Sequence, residues 1–209
     1  MNRHEATRRS LHGVAELVLA GPQYRGTGTI RLCVRPGGFG TCSGSELRVD
    51  GTDLVTGTGR VAIDGGTCVA LARDAGVAVG APEGLYHDGS GVGPDEPLAV
   101  DPAEARWLAD CWSAGDAALR RFAPDRSPVL WPEHFDVGIA VDGTGYGVSP
   151  GDGYLAEPYA YLSVAVPGPG AFWNAPFGAA RRMRELADAD PDAVLAFFVE
   201  GRDRLATGR

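Results

Sequence analysis

A chain of 209 residues is long enough to bury a substantial core as one large domain or two small ones. Its 27 acidic and 19 basic residues give a net charge of −8, which argues against extended contact with nucleic acid or an anionic membrane. All nineteen basic residues are arginine, which excludes a Schiff base, a lysine general base and a phosphate-loop lysine within this chain.

The longest apolar runs, Leu17 to Ala20 and Val194 to Val199, are too short to span a bilayer. The polar start Met1-Asn2-Arg3-His4-Glu5 carries no leader-like apolar stretch, so the expectation is a soluble, cytoplasmic protein without a membrane partner. Cys33, Cys42, Cys68 and Cys111 show no C-x-x-C or zinc spacing, and in a cytosolic protein read as buried small apolar residues.

Ser10 to Ala20 predicts a short helix stopped by Gly21-Pro22. Strands follow at Thr29 to Val34, Glu46 to Val55 and Arg60 to Ile63, with Asp50-Gly51 as a bulge or tight turn. Thr67 to Ala75 predicts a second helix. Residues 76–100 hold six glycines and three prolines, and no regular element is expected there; their role is left open. Pro102 to Phe122 is the clearest helix, with Asp101 as cap, Glu104 at the capping-box position, and Leu108, Cys111, Trp112, Leu119 and Phe122 on one face. Gly115 on that face would admit a closely packed neighbour.

Phe135 to Val141, a turn at Asp142 to Gly145, and Tyr146 to Ser149 read as a hairpin. Tyr159 to Val166 predicts a further strand, Gly178 to Ala187 a helix, and Asp190-Pro191 the start of a last helix with Val194, Leu195, Phe198 and Leu205 inward. Residues 1–125 and 126–209 each read as a three-stranded meander followed by helix. The expectation is a single α+β domain, a mainly antiparallel sheet of two such meanders with helices on one face. The two halves are equivalent only in topology.

Gly147-Val148-Ser149-Pro150-Gly151 matches the G-x-S-x-G elbow of serine hydrolases, but Pro150 has no N–H for an oxyanion hole and no histidine follows His134. Gly89-Ser90-Gly91-Val92-Gly93 resembles a phosphate loop only superficially, since no helix opens within it. Tyr86-His87-Asp88 places an imidazole beside a carboxylate, which suits a base, a ligand or a solvated surface pair.

The densest chemistry lies in residues 131–159. Trp131, Tyr146, Tyr154, Tyr159 and the later Trp173 would wall a small-molecule pocket in which His134, Asp136, Asp152 and Glu157 orient polar groups. His134, Asp136, Asp152 and Glu157 are alternatively ligands of a divalent transition metal in a hydrolase or isomerase, although no paired-histidine spacing is present. On a strand entering at Phe135, His134 and Asp136 would share a face. A third reading is structural: His134 buried and hydrogen-bonded, Asp152 closing an Asx turn, Glu157 paired with an arginine.

Trp131-Pro132-Glu133-His134-Phe135-Asp136, Gly147-Val148-Ser149-Pro150-Gly151-Asp152, Glu157-Pro158-Tyr159 and Phe172-Trp173 resemble an uncharacterised bacterial family with a W-P-x-H-F-D block followed by G-x-S-P-G-D. The resemblance covers about residues 128–206. It implies a choice of residues and no activity, cofactor or partner.

Overall fold

The computed structural model describes residues 2–207. The chain divides into two compact units, Met1–Asp110 with Leu130–Phe135, and Cys111–Val129 with Asp136–Arg209. Helices accompany antiparallel strands in each, so the fold is α+β.

The first unit opens on helix α1 (Arg3–Gly13), where the Asn2 side chain accepts the Glu5 N–H at 2.8 Å. The helix does not stop at Gly21-Pro22. It widens into a π-helical segment (Val14–Ala20), in which the Gly21 N–H reaches Glu16 O, and continues as α2 (Gly21–Thr27) up to left-handed Gly28. Five-residue spacing removes the usual clash of Pro22 with the carbonyl four residues back. Leu17 O, for which Pro22 has no N–H, accepts the Gly80 N–H at 3.0 Å instead.

That bond begins a strap. Residues 76–100 form neither helix nor strand, yet the helix holds them at several points. Ala99 N–H donates to Ser10 Oγ and Asp101 N–H to Thr7 Oγ1, each at 2.9 Å. Thr7, Ser10 and Glu16 are buried polar residues, and each finds its partner here. Gly21 permits the contact: a Cβ there would lie 1.7 Å from Gly80 O.

The strands of this unit run in the order β6-β1-β2-β3-β4-β5, all antiparallel. They are β1 (Leu32–Arg35), β2 (Gly38–Thr41), β3 (Arg48–Asp50), β4 (Asp53–Thr56), β5 (Gly59–Ala62) and β6 (Val129–Trp131), with helix α3 (Cys68–Asp74) capped by Thr67. The expected strand over Glu46 to Val55 is folded in two at Gly51, whose φ is 62°. The reading missed β2 because its glycines look like turn residues. A Cβ on Gly38 or Gly40 would lie 2.6 and 2.7 Å from Val49 O and Leu47 O, so the pairing demands them. The meander therefore has five strands rather than three.

Cys33 and Cys42 are not buried apolar residues. The β1–β2 hairpin brings their Cα atoms within 5.6 Å and they form a disulfide, with Cys42 exposed. Such a bond persists in oxidising surroundings, which runs against the premise of the cytoplasmic expectation. Cys68 and Cys111 lie outside the disulfide and are buried as expected, and burial pushes the Cys68 thiol up to about 12. Among the described residues, no helix is long and apolar enough to cross a membrane.

Helix α4 (Pro102–Phe122) has its predicted bounds, and Asp101 Oδ1 caps it by accepting from Ala103 and Glu104 N–H. Glu104 does not reach back as a capping box; its carboxylate meets His4 Nδ1 at 3.0 Å.

In the second unit, β7 (Asp136–Val141), β8 (Thr144–Ser149), β9 (Tyr159–Ser163) and β10 (Gly178–Arg182) form a four-stranded meander. Asp142 and Gly143, at φ 50° and 78°, close the predicted hairpin. The helix expected over Gly178 to Ala187 is instead β10 and a 3₁₀ turn at Met183–Glu185. Hydrogen bonding to β9, with Ala179 and Ala180 buried, overrides the helix preference of alanine and arginine. Helix α5 (Pro191–Thr207) starts at Asp190 as predicted, but buries Val194, Phe197, Phe198 and Gly201, leaving Leu195 and Leu205 half-buried.

Both helical portions lie on the face that carries Val137, Val148 and Leu162. A Cβ on Gly115 of α4 would meet Val148 at 2.7 Å, and one on Gly201 of α5 would meet Leu162 at 2.1 Å. Gly115 is the close-approach glycine that the sequence suggested. The other face of this sheet is free to carry polar chemistry.

Candidate functional site

Strand alternation puts Asp136, Gly138, Ser149, Gly147, Tyr159 and Tyr161 on the face away from α4 and α5. Registers align Gly138 with Gly147 and Gly147 with Tyr161 across β7, β8 and β9. The two glycines make a trough in which the Tyr161 ring lies. A Cβ on Gly147 would be 2.6 Å from the phenol carbon and oxygen, and one on Gly138 would be 3.1 Å from the oxygen.

Tyr161 OH donates to Asp136 Oδ2, and Asp136 is only 8% exposed. Burial, then the adjacent Asp136 charge, pushes the Tyr161 hydroxyl well above its ordinary range. A second pair stands beside it. Tyr159 OH donates to Asp152 Oδ2 at 2.6 Å, and burial, then this hydrogen bond, raises the Tyr159 hydroxyl. Asp152 Oδ1 accepts the backbone N–H groups of Tyr154 and Leu155 at 2.8 and 3.0 Å, closing the expected Asx turn. Phe177 joins the rings, 5.1 Å from Tyr154 and 6.5 Å from Tyr161 between centroids. The Tyr154 ring is 45% exposed, so the group opens to solvent at one end.

Of the residues singled out from the sequence, Asp136, Asp152, Tyr154 and Tyr159 therefore belong to one aromatic and acidic face. Tyr146 does not: it is buried on the helix face against Phe122 and Phe198. Glu157 is exposed and pairs with Arg184 at 3.8 Å, as the structural reading expected. Trp173 packs edge-on against Phe172. Trp131 and His134 belong to the first unit, where the Arg31 guanidinium lies 5.9 Å over the Trp131 ring.

His134 is not the buried, hydrogen-bonded histidine of the structural reading. Its side chain is 66% exposed, 3.9 Å from Glu133. The assumed alternation fails at Phe135, which takes φ 58° after its N–H bonds to Trp131 O at 2.7 Å. A bulky residue in the left-handed region is strained, and packing holds it there. Phe135 is buried, stacked on His12 at 5.0 Å and edge-on to Phe39. Phe135, not His134, is the anchor of this block. Among the described residues, no group of three or more His, Cys, Asp or Glu side chains is placed to hold a metal ion.

The reading missed Tyr161, Phe177 and the trough glycines. Tyr161 had a signal, since it lies two residues after Tyr159 and so on the same face. Ser149, dismissed as a nucleophile, uses its Oγ to accept the Gly151 N–H at 3.2 Å.

A second cluster in the first unit also escaped the sequence. The Glu16 carboxylate is buried and accepts from both N–H and OH of Ser90, at 2.9 and 2.6 Å. The Tyr86 hydroxyl is buried too, and burial with the nearby Glu16 charge raises it. His12 is held below its ordinary range by burial, partly offset by its 2.7 Å bond to Pro132 O and the charge of Glu16. Gly89-Ser90-Gly91 is thus pinned as part of the strap, while His87 and Asp88 face solvent. No protein-family model, curated protein or solved structure matches the chain.

Proposed function

We propose that this protein binds a small organic ligand bearing an amine on the face formed by Asp136, Asp152, Tyr154, Tyr159, Tyr161 and Phe177. The observation that carries the reading is the pairing of two carboxylates with tyrosine rings in one group, open at Tyr154. Carboxylates accept from an ammonium, and aromatic faces attract it through their quadrupole. Small-molecule sites combine apolar rings with a few placed polar groups in this manner. The same reading keeps residues 128–206 with the bacterial family of the W-P-x-H-F-D and G-x-S-P-G-D blocks. A relative that shares Asp136, Asp152 and Tyr159 would support it.

The test is a titration of 15N-labelled protein with benzylamine, with benzoate as the anionic control. Saturable shifts at the Tyr154, Leu155 and Phe177 amides are expected for benzylamine alone. Asp136→Asn and the exposed Tyr154→Ala should each weaken binding about tenfold, or about 1.4 kcal/mol. Equal response to benzoate, or none to either compound, removes the proposal.

A further inference from the structure

A cavity of about 170 Å³ lies within the first unit, with Leu19, Pro22 and Val77 among its apolar lining and Thr27, Ser45 and Gly26 alongside. Its lining contains no charged side chain. An ionised ligand would therefore give up part of its hydration with no counter-charge in return, so the lining favours neutral molecules. The volume suits one ring: a void of about 150 Å³ in another protein takes up benzene.

The walls are held in place. Gln23, only 4% exposed, uses its whole amide as a brace. Its Nε2 donates to Thr29 O and Arg31 O at 3.0 and 2.8 Å, while its Oε1 accepts the N–H groups of Cys42 and Ser43 at 2.9 and 3.1 Å. The Cys33–Cys42 disulfide ties the start of the same loop to β1. Gly44 and Ser45, which line the cavity, follow directly. A cavity whose wall is fixed in advance binds without the cost of ordering a loop. Thr27 Oγ1 donates to Gln23 O at 2.7 Å and accepts from Ser43 Oγ at 3.4 Å, which leaves one lone pair for a ligand hydroxyl.

We infer that this cavity is a binding site for a small neutral molecule with a single apolar ring and a hydroxyl group, separate from the tyrosine–aspartate face. Phenol is the probe, and benzoate and benzylamine are the charged controls. Gly26 supplies the control for folding. It lines the cavity from inside α2, and a Cβ there would meet nothing within 4 Å, so Gly26→Leu adds a bulky apolar side chain at the cavity without a clash and also favours the helix.

Phenol should produce saturable amide shifts at Leu19, Thr27, Ser45, Leu47 and Val77, with both charged controls at least tenfold weaker at those amides. Gly26→Leu should keep or raise the melting temperature and weaken phenol at least tenfold, and Gly26→Ala should weaken it less. The inference is overturned if phenol gives no saturable shift at these amides, or if it binds Gly26→Leu as it binds the wild type. Failure of benzylamine at Tyr154 and Phe177 would leave this result untouched, because the two sets of amides are read separately.

Discussion

Two buried carboxylates on this molecule meet opposite fates. Glu16 is sealed: its partner Ser90 lies 74 residues away on the strap, and a Cβ on Gly89 would sit 2.0 Å from its Oε1. Asp136 is met by Tyr161, a residue of the same sheet, in a group of rings that stays open at Tyr154. Both carboxylates have hydroxyl donors. The difference is access. A carboxylate closed over by backbone contributes to the fold, whereas one at the back of an aromatic group with an open end can also receive a ligand.

The largest expected effect tests the sealed side. Glu16→Ala leaves the Ser90 donors without their acceptor and opens a hole beneath the strap, so it should cost about 3–5 kcal/mol by denaturant unfolding. A loss under about 1 kcal/mol, at the level of an ordinary surface substitution, would show that the strap is not held there.

On the open side the trough is the point of attack. Gly147→Ala drives a methyl group into the Tyr161 ring and Val137 O, both 2.6 Å from the Cβ, and should cost about 1–3 kcal/mol. Tyr161→Phe removes only the hydroxyl that serves Asp136. A loss of about 1–2 kcal/mol is expected, smaller than that of Glu16→Ala because one hydroxyl is removed and no large hole opens. If the order of these two losses were reversed, the contrast between the two carboxylates would be wrong.

Titration separates the regions with the smallest effect. His12 is held below its ordinary pKa, so the unfolded chain takes up a proton more readily than the folded one. Its contribution is complete above about pH 6.5 and declines as pH falls through the folded value. Tyr159 and Tyr161 are raised, so their contribution is complete below about pH 10 and declines as pH rises. Unfolding midpoints across pH should show the acid loss diminished in His12→Phe and the alkaline loss diminished in Tyr161→Phe. The converse assignment would contradict the geometry.

The sequence carried the helices whose signals are local. Asp101-Pro102 and Asp190-Pro191 mark starts that side-chain caps enforce, and Asp142-Gly143 marks a turn that needs positive φ. It was weaker where partners are distant. Gly178 to Arg182 has helical composition and became a strand only because β9 offers an edge, and β2 was hidden by glycines that a neighbouring backbone requires. At the candidate site, Asp136, Asp152, Tyr154 and Tyr159 were legible because they crowd one stretch. His134 was misplaced because alternation was assumed through Phe135, where the left-handed backbone breaks it. Glu16 left a faint trace, one acid in the apolar run Val14–Ala20, and nothing local pointed to Ser90. The Cys33–Cys42 bond was missed because spacing alone does not show that a hairpin turns between the two cysteines.

The claim that matters most is that the tyrosine–aspartate face receives an amine. A benzylamine titration followed at the Tyr154, Leu155 and Phe177 amides, in wild type and in Asp136→Asn, tests it most directly. Saturable shifts in the wild type that weaken about tenfold in the variant, with no response to benzoate, are the predicted result. Unchanged amides in the wild type, or equal binding by Asp136→Asn, would contradict it.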